Sequence, residues 1–166
     1  MLILTLKLDP AAFATLDALR QQHFPPERNF LAAHITLFYA LPDDQEASIR
    51  AELKTRCAIT PVIPLTLPAV RFLGRGVAVA VESPALLELR RQLALAWQPW
   101  LGAQDRQRSQ PHVTIQNKVT PEVARLLYEQ LHQTWHPLAA QGEGLLLWRY
   151  LGGPWEGLKE FTFGRI

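Results

Sequence analysis

The stretch "AAHITLFYALP" (residues 32–42) indicates the fold of this protein, because it returns further along the chain as "QPHVTIQNKVTP" (residues 110–121). Both copies contain the series histidine, aliphatic residue, threonine, aliphatic residue, at 34–37 and at 112–115. The surrounding residues are mostly β-branched, aromatic or aliphatic, which favours a buried β-strand in each place. A polar pair that recurs in two such strands points to an internal duplication with a shared function.

Side-chain alternation along a strand predicts which residues accompany each histidine and threonine. Successive side chains of a strand point to opposite faces of the sheet. The predicted polar faces carry His34, Thr36, Phe38 and Ala40 in the first strand and His112, Thr114, Gln116 and Lys118 in the second. The opposite faces are mainly apolar, and we expect them to pack against helices.

The rest of the chain alternates between strand patterns and helix patterns. Strand-forming runs occur at 2–8, 34–41, 64–73, 76–83, 112–119, 144–151 and 159–166, and helical patterns occur at 10–22, 43–57, 84–97 and 121–135. Each helical pattern has a proline or aspartate near its start, as helix N-termini often do. The order strand–helix–strand–helix–strand is therefore written twice.

The duplication extends beyond the two motifs. "KLDPAAFATLDALR" (7–20) matches "VESPALLELRRQL" (81–93) in its layout of strand end, proline and apolar-periodic helix. "RFLG" (71–74) matches "RYLG" (149–152), and each tetrapeptide begins at the same distance from the histidine of its own repeat. Several matches in the same order indicate an ancestral duplication.

Length and composition describe one globular unit. We predict a single domain over 1–166 with an internal repeat at about 1–75 and 76–166, packed as two lobes whose polar faces meet in a central cleft. The hydrophobic fraction of 48% and the charged fraction of 19% exclude a disordered chain. A net charge of +2 permits an anionic partner, but no cluster of basic residues marks a duplex-binding face.

The sequence also bears on the compartment. A single cysteine, Cys57, excludes an intrachain disulfide and fits a reducing environment. The apolar run at 1–10 is short and lacks the basic start of a signal peptide. No apolar run approaches the length of about 18 residues that a membrane-spanning helix needs. We expect a cytoplasmic protein that works away from membranes.

Two imidazoles that face each other across a cleft suit a reaction that needs a base on one side and an acid on the other. Histidine serves in either role, because its ordinary pKa of about 6.5 leaves both forms populated near neutrality. In-line displacement at phosphorus makes this demand, and threonine hydroxyls can donate hydrogen bonds to the non-bridging oxygens. The scheme needs no metal or other cofactor.

Two plainer interpretations of the motifs remain open at this point. A single His-x-Thr in a strand is more typical of a core histidine than of a catalytic one, and only the duplication favours catalysis. A metal pair is also conceivable. However, two histidines without Asp, Glu or Cys on the same faces form a poor set of ligands.

Five further residues are candidate substrate contacts. Arg71 and Arg149 occupy matched positions, which suggests a shared role such as phosphate binding through the guanidinium group. The alternative for both is a solvent-facing arginine near a hairpin. Phe38 can stack on a nucleobase or simply wall the cleft. Gln116 and Lys118 follow the second motif on its polar face.

These residues resemble those of a known family. The paired motifs in "HITLFYALP" and "PHVTIQNKV" are similar to those of the two-histidine (2H) phosphoesterase superfamily, and within it to the 2′-5′ RNA ligases, also described as RNA 2′,3′-cyclic phosphodiesterases. The resemblance covers essentially the whole chain. It implies an α/β (α+β) fold of two lobes, in which two antiparallel-type sheets form a concave central cleft with helices outside.

The resemblance also implies roles for the motif residues. His34 and His112 would be the acid and the base, and Thr36 and Thr114 would bind the phosphate. The implied reaction is metal-independent hydrolysis of a 2′,3′-cyclic phosphate to a 2′-phosphomonoester, and some members join RNA ends through a 2′-5′ linkage. In the family's usual assignment His112 activates water and His34 protonates the departing 3′ oxygen.

This chain departs from the family pattern in one place. Many members carry an arginine soon after the second motif, where Gln116 and Lys118 stand here. Lys118 can substitute as a point charge, without the two-pronged geometry of arginine.

The sequence therefore predicts a small monomeric phosphodiesterase without cofactor or metal. Its predicted partner is RNA with a 2′,3′-cyclic phosphate end or a small cyclic nucleotide, and the modest charge favours short substrates. One alternative is a hydrolase of 2′-5′ phosphodiesters or of a non-RNA cyclic phosphate. Another is a non-catalytic module that binds RNA or nucleotides on the same fold.

Overall fold

A computed structural model of the protein describes residues 1–164. The strands are β1 (Leu2–Leu8), β2 (Ile35–Leu41), β3 (Ile63–Leu67), β4 (Val70–Phe72), β5 (Val77–Ala80), β6 (His112–Gln116), β7 (Leu138–Tyr150) and β8 (Trp155–Thr162). The helices are α1 (Pro10–His23), α2 (Glu46–Ala58), α3 (Pro84–Ala96), α4 (Ala103–Arg106) and α5 (Pro121–Thr134). The last two residues of the predicted strand 159–166 lie outside the described residues.

The strands form two antiparallel sheets. The larger sheet has the order β2-β1-β7-β3, and β8 pairs with the second part of the long strand β7. The smaller sheet has the order β4-β5-β6. Helices α1, α2, α3 and α5 pack on the strands of these sheets. The predicted fold class, a mixed α/β protein with two antiparallel sheets and surrounding helices, is confirmed.

The two sequence repeats exchange strands. β7, from the second repeat, pairs along β1 of the first, and β4, from the first repeat, pairs along β5 of the second. The motif strands flank the same central strands, β2 on β1 and β6 on β5. Each sheet thus contains strands of both repeats. The predicted boundary falls in the tight turn between β4 and β5, where Gly74 has a φ of 90°.

Three of the helices begin with the same arrangement of a capping side chain followed by proline. The side chains of Asp9, Ser83 and Thr120 accept hydrogen bonds from the backbone N–H three residues later, at 3.1, 3.2 and 3.3 Å. Proline then occupies the first helical position, where its missing N–H costs nothing. These signals explain why the helices at 10, 84 and 121 start where the sequence predicts. Helix α2 starts later than predicted, because residues 43–45 form a 3₁₀ turn.

One continuous hydrophobic core lies between the sheets and the helices. The largest fully buried side chains include Trp97, Phe38, Leu16, Ile49 and Leu53. Cys57 belongs to this core, and burial raises the pKa of its thiol to about 12. The thiol is therefore protonated and unreactive near neutrality. No helix in residues 1–164 is long and apolar enough to cross a membrane.

Candidate active site

The strand that carries the first motif contains a β-bulge. The extra residue is Leu37, which lies between Thr36, opposite Thr5 of β1, and Phe38, opposite Leu4. A bulge reverses the alternation of side chains beyond it. Thr36 is therefore on the expected face, whereas Phe38 is on the opposite face from the one that regular alternation predicts. A second register shift lies between Phe38, opposite Leu4, and Leu41, opposite Leu2, and it returns Leu41 to the face that regular alternation predicts.

The second motif strand contains a bulge at the equivalent place. Ile115 is the extra residue, between Thr114, opposite Ala78 of β5, and Gln116, opposite Val77. The duplication thus extends to an irregularity of the backbone. In both strands the histidine and threonine precede the bulge, and the next residue of the predicted polar face follows it.

The bulges correct two of the predicted cleft residues. Phe38 is completely buried. Its ring centre lies 5.1 Å from that of Trp97 in an edge-to-face arrangement, and the Arg90 guanidinium lies 4.4 Å above it. Gln116 is only 5% exposed, and its side-chain oxygen has no hydrogen-bond partner among the described residues. Neither side chain reaches the cleft. Tyr39, which regular alternation places on the opposite face, lines it instead.

His34 is held by its own backbone. Its Nδ1 lies 2.7 Å from the carbonyl oxygen of Ala32. A carbonyl only accepts, so Nδ1 carries the ring proton, and Nε2 of the neutral ring is the basic nitrogen. The edge of the ring meets Trp155, with 4.8 Å between ring centres and 60° between planes.

His112 repeats the same local arrangement. Its Nδ1 lies 2.9 Å from the carbonyl oxygen of Gln110, which again stands two residues before the histidine. Nδ1 cannot donate to this carbonyl and also accept from the Arg71 guanidinium, and the carbonyl is the nearer partner. We therefore assign the proton to Nδ1, which makes Nε2 the basic nitrogen here too. The Nη2 of Arg71 lies 3.3 Å from Nδ1, which brings a permanent positive charge next to this imidazole.

Both histidines favour the neutral state in the free protein. Burial lowers the pKa of His34 to about 4, and the charges of Arg20 and His112 contribute in the same direction. Burial also lowers the pKa of His112, and the Arg71 guanidinium lowers it further. A positive charge on His112 thus disfavours a second positive charge on His34.

The motif residues line two neighbouring cavities of different chemistry. A cavity of 460 Å³ contains Thr36 from the first motif and His112 from the second, together with Tyr39, Arg71 and Arg108. The structure thus brings residues of both motifs into one polar cleft. His34 lines a second cavity, of 520 Å³, whose other walls are mostly apolar. Thr114 lines neither cavity; it is half-buried next to them in β6.

Two buried arginines connect the motif strands to helices. Arg20 of α1 donates from Nη1 to the carbonyl oxygen of Thr114 at 2.9 Å, and Arg90 of α3 donates from Nε to that of Leu37 at 3.3 Å. Each of these helices is thus hydrogen-bonded to the motif strand of the other repeat. These bonds satisfy buried carbonyls next to the two bulges, which fixes the course of the backbone there.

Arg149 does not join the cleft. It forms ion pairs with Asp43 at 3.7 Å, with Glu156 at 3.5 Å, and with Glu46. It lines neither cavity next to the histidines. The predicted common role of Arg71 and Arg149 is therefore not supported, since only Arg71 of the two lines the polar cavity with His112.

Strand register explains why Arg71 and Arg149, which match in sequence spacing, lie in different surroundings. Arg71 lies opposite Ala78 of β5, which pairs in turn with Thr114 of the motif. Arg149 lies opposite Leu2 of β1, which pairs with the last residue of β2, beyond the first motif. Although their spacing along the chain is equal, Arg71 is in register with the threonine of its motif strand, and Arg149 is in register with a residue beyond the first motif.

Lys118, a predicted substrate contact, lies away from the two cavities, and Arg108, which the sequence analysis did not single out, lines the polar one. Lys118 is exposed, has a left-handed backbone with φ of 62°, and lines neither of the two cavities. Arg108, in the segment before the second motif, lines the polar one. The only sequence signal for it is the pair of basic residues in "DRQRSQPH" just before the motif. Within residues 1–164 no group of three His, Cys, Asp or Glu side chains could hold a metal ion.

Two histidine–threonine pairs, supplied by the two repeats of one α/β fold, define a protein of the phosphoesterase class. The chain belongs to the 2′-5′ RNA ligase superfamily of two-histidine phosphoesterases, since the model of that family matches residues 8–154. No curated protein sequence matches the chain.

Solved structures show the same fold. TT0787 of Thermus thermophilus has a TM-score of 0.69 at 17% identity, over 98% of this chain and 97% of that one. LigT of E. coli, complexed with 3′-AMP, has a TM-score of 0.65 at 18% identity, over 98% and 97% of the two chains. LigT complexed with phosphate gives 0.64 at 20% identity, over 99% and 97%. At these identities the likeness concerns the fold alone.

Proposed function

We propose that the protein is a metal-independent phosphodiesterase, which opens the 2′,3′-cyclic phosphate of an RNA end or a nucleotide to give a 2′-phosphomonoester. The observation that carries the proposal is the matched pair of imidazoles, each with Nδ1 bonded to the carbonyl two residues before it. Both Nε2 atoms are thereby left free to move protons. Membership of a superfamily of phosphoesterases and ligases supports the reaction type, and LigT complexes with 3′-AMP and phosphate support a nucleotide-like substrate.

The reaction needs one proton acceptor and one proton donor. The basic Nε2 of one histidine takes a proton from water while the water oxygen bonds to phosphorus. The bond from phosphorus to the 3′ oxygen breaks, and the imidazolium of the other histidine protonates that oxygen. We assign Thr36 and Thr114 to the non-bridging oxygens, where hydrogen bonds stabilise the charge of the transition state. Arg71, beside His112, supplies a further positive charge.

Substrate binding supplies the missing proton. Both imidazoles are mostly neutral in the free protein, because their pKa values are lowered. A phosphate anion between them favours the charged form of either ring, so its binding raises a pKa and draws a proton from solvent. The anion thus generates the acid that its own cleavage requires.

The lowered pKa values predict an acidic optimum. Catalysis needs the state with one proton on the pair, which in the free protein exists between the pKa of about 4 at His34 and the pKa of His112, lowered from 6.5. We expect kcat/KM to peak in that interval and to fall roughly tenfold per pH unit on the alkaline side. The profile reports the pair, and does not say which ring holds the proton. The measurement is kcat/KM for adenosine 2′,3′-cyclic phosphate at closely spaced pH values.

A matched pair of variants tests the cause of that profile. Arg71→Gln removes a charge that lowers the pKa of His112, so the alkaline limb is expected to move to higher pH. Arg108→Gln removes a positive charge from the same cavity, and is expected to leave the limb in place. A parent profile that stays flat well above pH 6.5 contradicts the assignment, as does an equal shift in both variants.

The proposed activity is tested by turnover in EDTA. We expect the parent protein to convert adenosine 2′,3′-cyclic phosphate to 2′-AMP at the same rate with and without the chelator. Chromatography against 2′-AMP and 3′-AMP standards identifies the product. Formation of 3′-AMP means that the other phosphorus–oxygen bond is broken. Activity that disappears on chelation and returns with a divalent metal contradicts the metal-free mechanism.

A second candidate, cleavage or formation of a 2′-5′ phosphodiester, is favoured by the polar cavity. Arg71 and Arg108 line it next to His112. Hydrolysis by water uses the charge of Arg71 alone, whereas an RNA strand that brings a 5′-hydroxyl also brings further phosphates, which Arg108 can meet. Turnover of a 2′-5′-linked dinucleotide, compared with its 3′-5′ isomer, tests this candidate. If no phosphoester is turned over and His34→Ala only weakens ligand binding, the protein is a binding module.

A further inference from the structure

The apolar cavity beside His34 is not needed for acid–base chemistry. Its volume of 520 Å³ lies within the range of about 300–1,000 Å³ that is typical of small-molecule sites. The apolar side chains around it include Phe13, Phe30, Leu31, Leu146, Trp148 and Trp155. A wall of this composition in direct contact with a catalytic residue suits a flat, weakly polar group.

Aromatic side chains line the cavity, and a hydrogen bond holds one of them, Trp148, in place. The Trp148 indole donates to Thr5 Oγ1 at 2.9 Å, which holds the ring, and Trp155 lies 6.0 Å from it between ring centres at 58°. Trp155 also contacts His34. At the mouth, Phe30 is 65% exposed and Phe13 is 39% exposed. Large aromatic side chains left open to solvent beside a cavity are costly unless a ligand covers them.

The neighbouring cavity has the opposite character. Arginine, glutamine and serine side chains dominate its lining around His112, including Arg71, Arg108 and Gln110. The cleft therefore has an apolar end at His34 and a cationic end at His112. A nucleotide has the same division, because its base is apolar and flat while its phosphates are anionic.

We infer that the apolar cavity next to His34 is a nucleobase site, in which the base lies among Trp155, Trp148 and Phe30. This inference deepens the proposed function and rests on it for the phosphate position. Aromatic rings stack on any base, because every base has a π-face. The site is therefore expected to require a base without selecting one strongly.

The base site fixes the direction of the substrate in the cleft. The ribose that carries the base also carries the departing 3′ oxygen, and in-line attack comes from the far side of phosphorus. A base beside His34 places the departing oxygen on that side and the attacking water at His112. His34 is then the acid, which agrees with the usual assignment in the family.

Binding measurements test the base site independently of turnover. Calorimetric dissociation constants are compared for 2′-AMP and for the base-free methyl riboside 2-phosphate. We expect the parent protein to bind 2′-AMP at least about tenfold more tightly, because the base stacks on aromatic rings. Phe30→Ala and Trp155→Leu are expected to reduce that preference about fivefold or more. Tyr150→Leu, an exposed aromatic residue that lines neither cavity, is the matched control.

Each result bears on the inference alone. Binding of the base-free phosphate is expected to stay the same in Phe30→Ala. If this variant weakens both ligands equally, the preference for 2′-AMP survives and the base site is overturned. Because Trp155 touches His34, Phe30→Ala is the decisive variant. Equal affinity of the parent for both ligands overturns the base site, even if cyclic phosphates are turned over. A preference for 2′-AMP that survives both variants places the base elsewhere and also overturns it. Conversely, a preference that the variants remove supports the site even if turnover fails.

Discussion

Substitution of His34 or His112 by alanine is expected to lower kcat for adenosine 2′,3′-cyclic phosphate by about 10²–10⁴-fold, the usual contribution of a general acid or base. Each variant lacks one of two groups that act in the same step. The double variant is therefore expected to be little worse than the poorer single one, because residues that act as a unit are far from additive. The measurement is single-turnover or steady-state kinetics at the parent's optimum pH.

Two controls separate chemistry from folding in that experiment. His136→Ala removes an exposed imidazole that lines neither cavity, and should leave the rate unchanged. Thermal unfolding of His34→Ala and His112→Ala shows whether the cleft survives loss of the hydrogen bond from each ring to the carbonyl two residues before it. If either folded single variant keeps more than about a tenth of the parent rate, the acid–base pair is the wrong mechanism.

Local signals in the sequence were sufficient to predict most of the helices and the two motif strands. Capping side chains followed by proline determined three helix starts, at Asp9, Ser83 and Thr120. In β6, His112 and Thr114 precede the bulge and lie opposite Ala80 and Ala78 of β5, so regular alternation applies to them without knowledge of the bulge. These features depend on neighbours within a few positions, which a single sequence contains.

Features that depend on strand pairing could not be predicted in the same way. A bulge arises from the register between two strands, so the burial of Phe38 and the exposure of Tyr39 were not visible in the motif itself. The exchange of strands between repeats has the same origin. Arg71 and Arg149 match in sequence spacing, yet their partners on β5 and β1 set them at different levels. Equal spacing along the chain therefore predicts equivalent positions in space only where the strand pairing is known.

The hydrogen bonds that hold β2 beyond the first motif also could not be predicted from the sequence. Asp105 stands in α4, which has only four residues and no periodic pattern. Its carboxylate is 1% exposed and accepts hydrogen bonds from the backbone N–H groups of Tyr39 at 2.8 Å and Ala40 at 2.9 Å. Its own carbonyl accepts from Arg90 at 2.6 Å, and Arg90 in turn bonds to Leu37, the bulge residue. One short helix thus secures the bulge that follows Thr36.

Asp105→Ala is therefore expected to reduce the free energy of unfolding by about 3 kcal/mol, since two buried N–H groups lose a charged acceptor. For a chain of this size the loss corresponds to a fall in Tm of roughly 6–12 °C. Activity of the remaining folded protein should fall as well, because release of β2 beyond Thr36 loosens one wall of the cleft. The measurement combines denaturant unfolding with kcat/KM below the transition.

Two further variants isolate the role of the carboxylate. Asp105→Asn keeps one strong acceptor of similar shape, so we expect a loss of stability smaller than that of the alanine variant. Asp44→Ala removes an exposed carboxylate from the turn after β2, and should change stability by no more than about 0.5 kcal/mol. If Asp105→Ala unfolds like the parent, its hydrogen bonds do not hold the bulge. If Asp105→Ala is destabilised but keeps full kcat/KM, the hydrogen bonds of Asp105 support the fold without positioning Thr36.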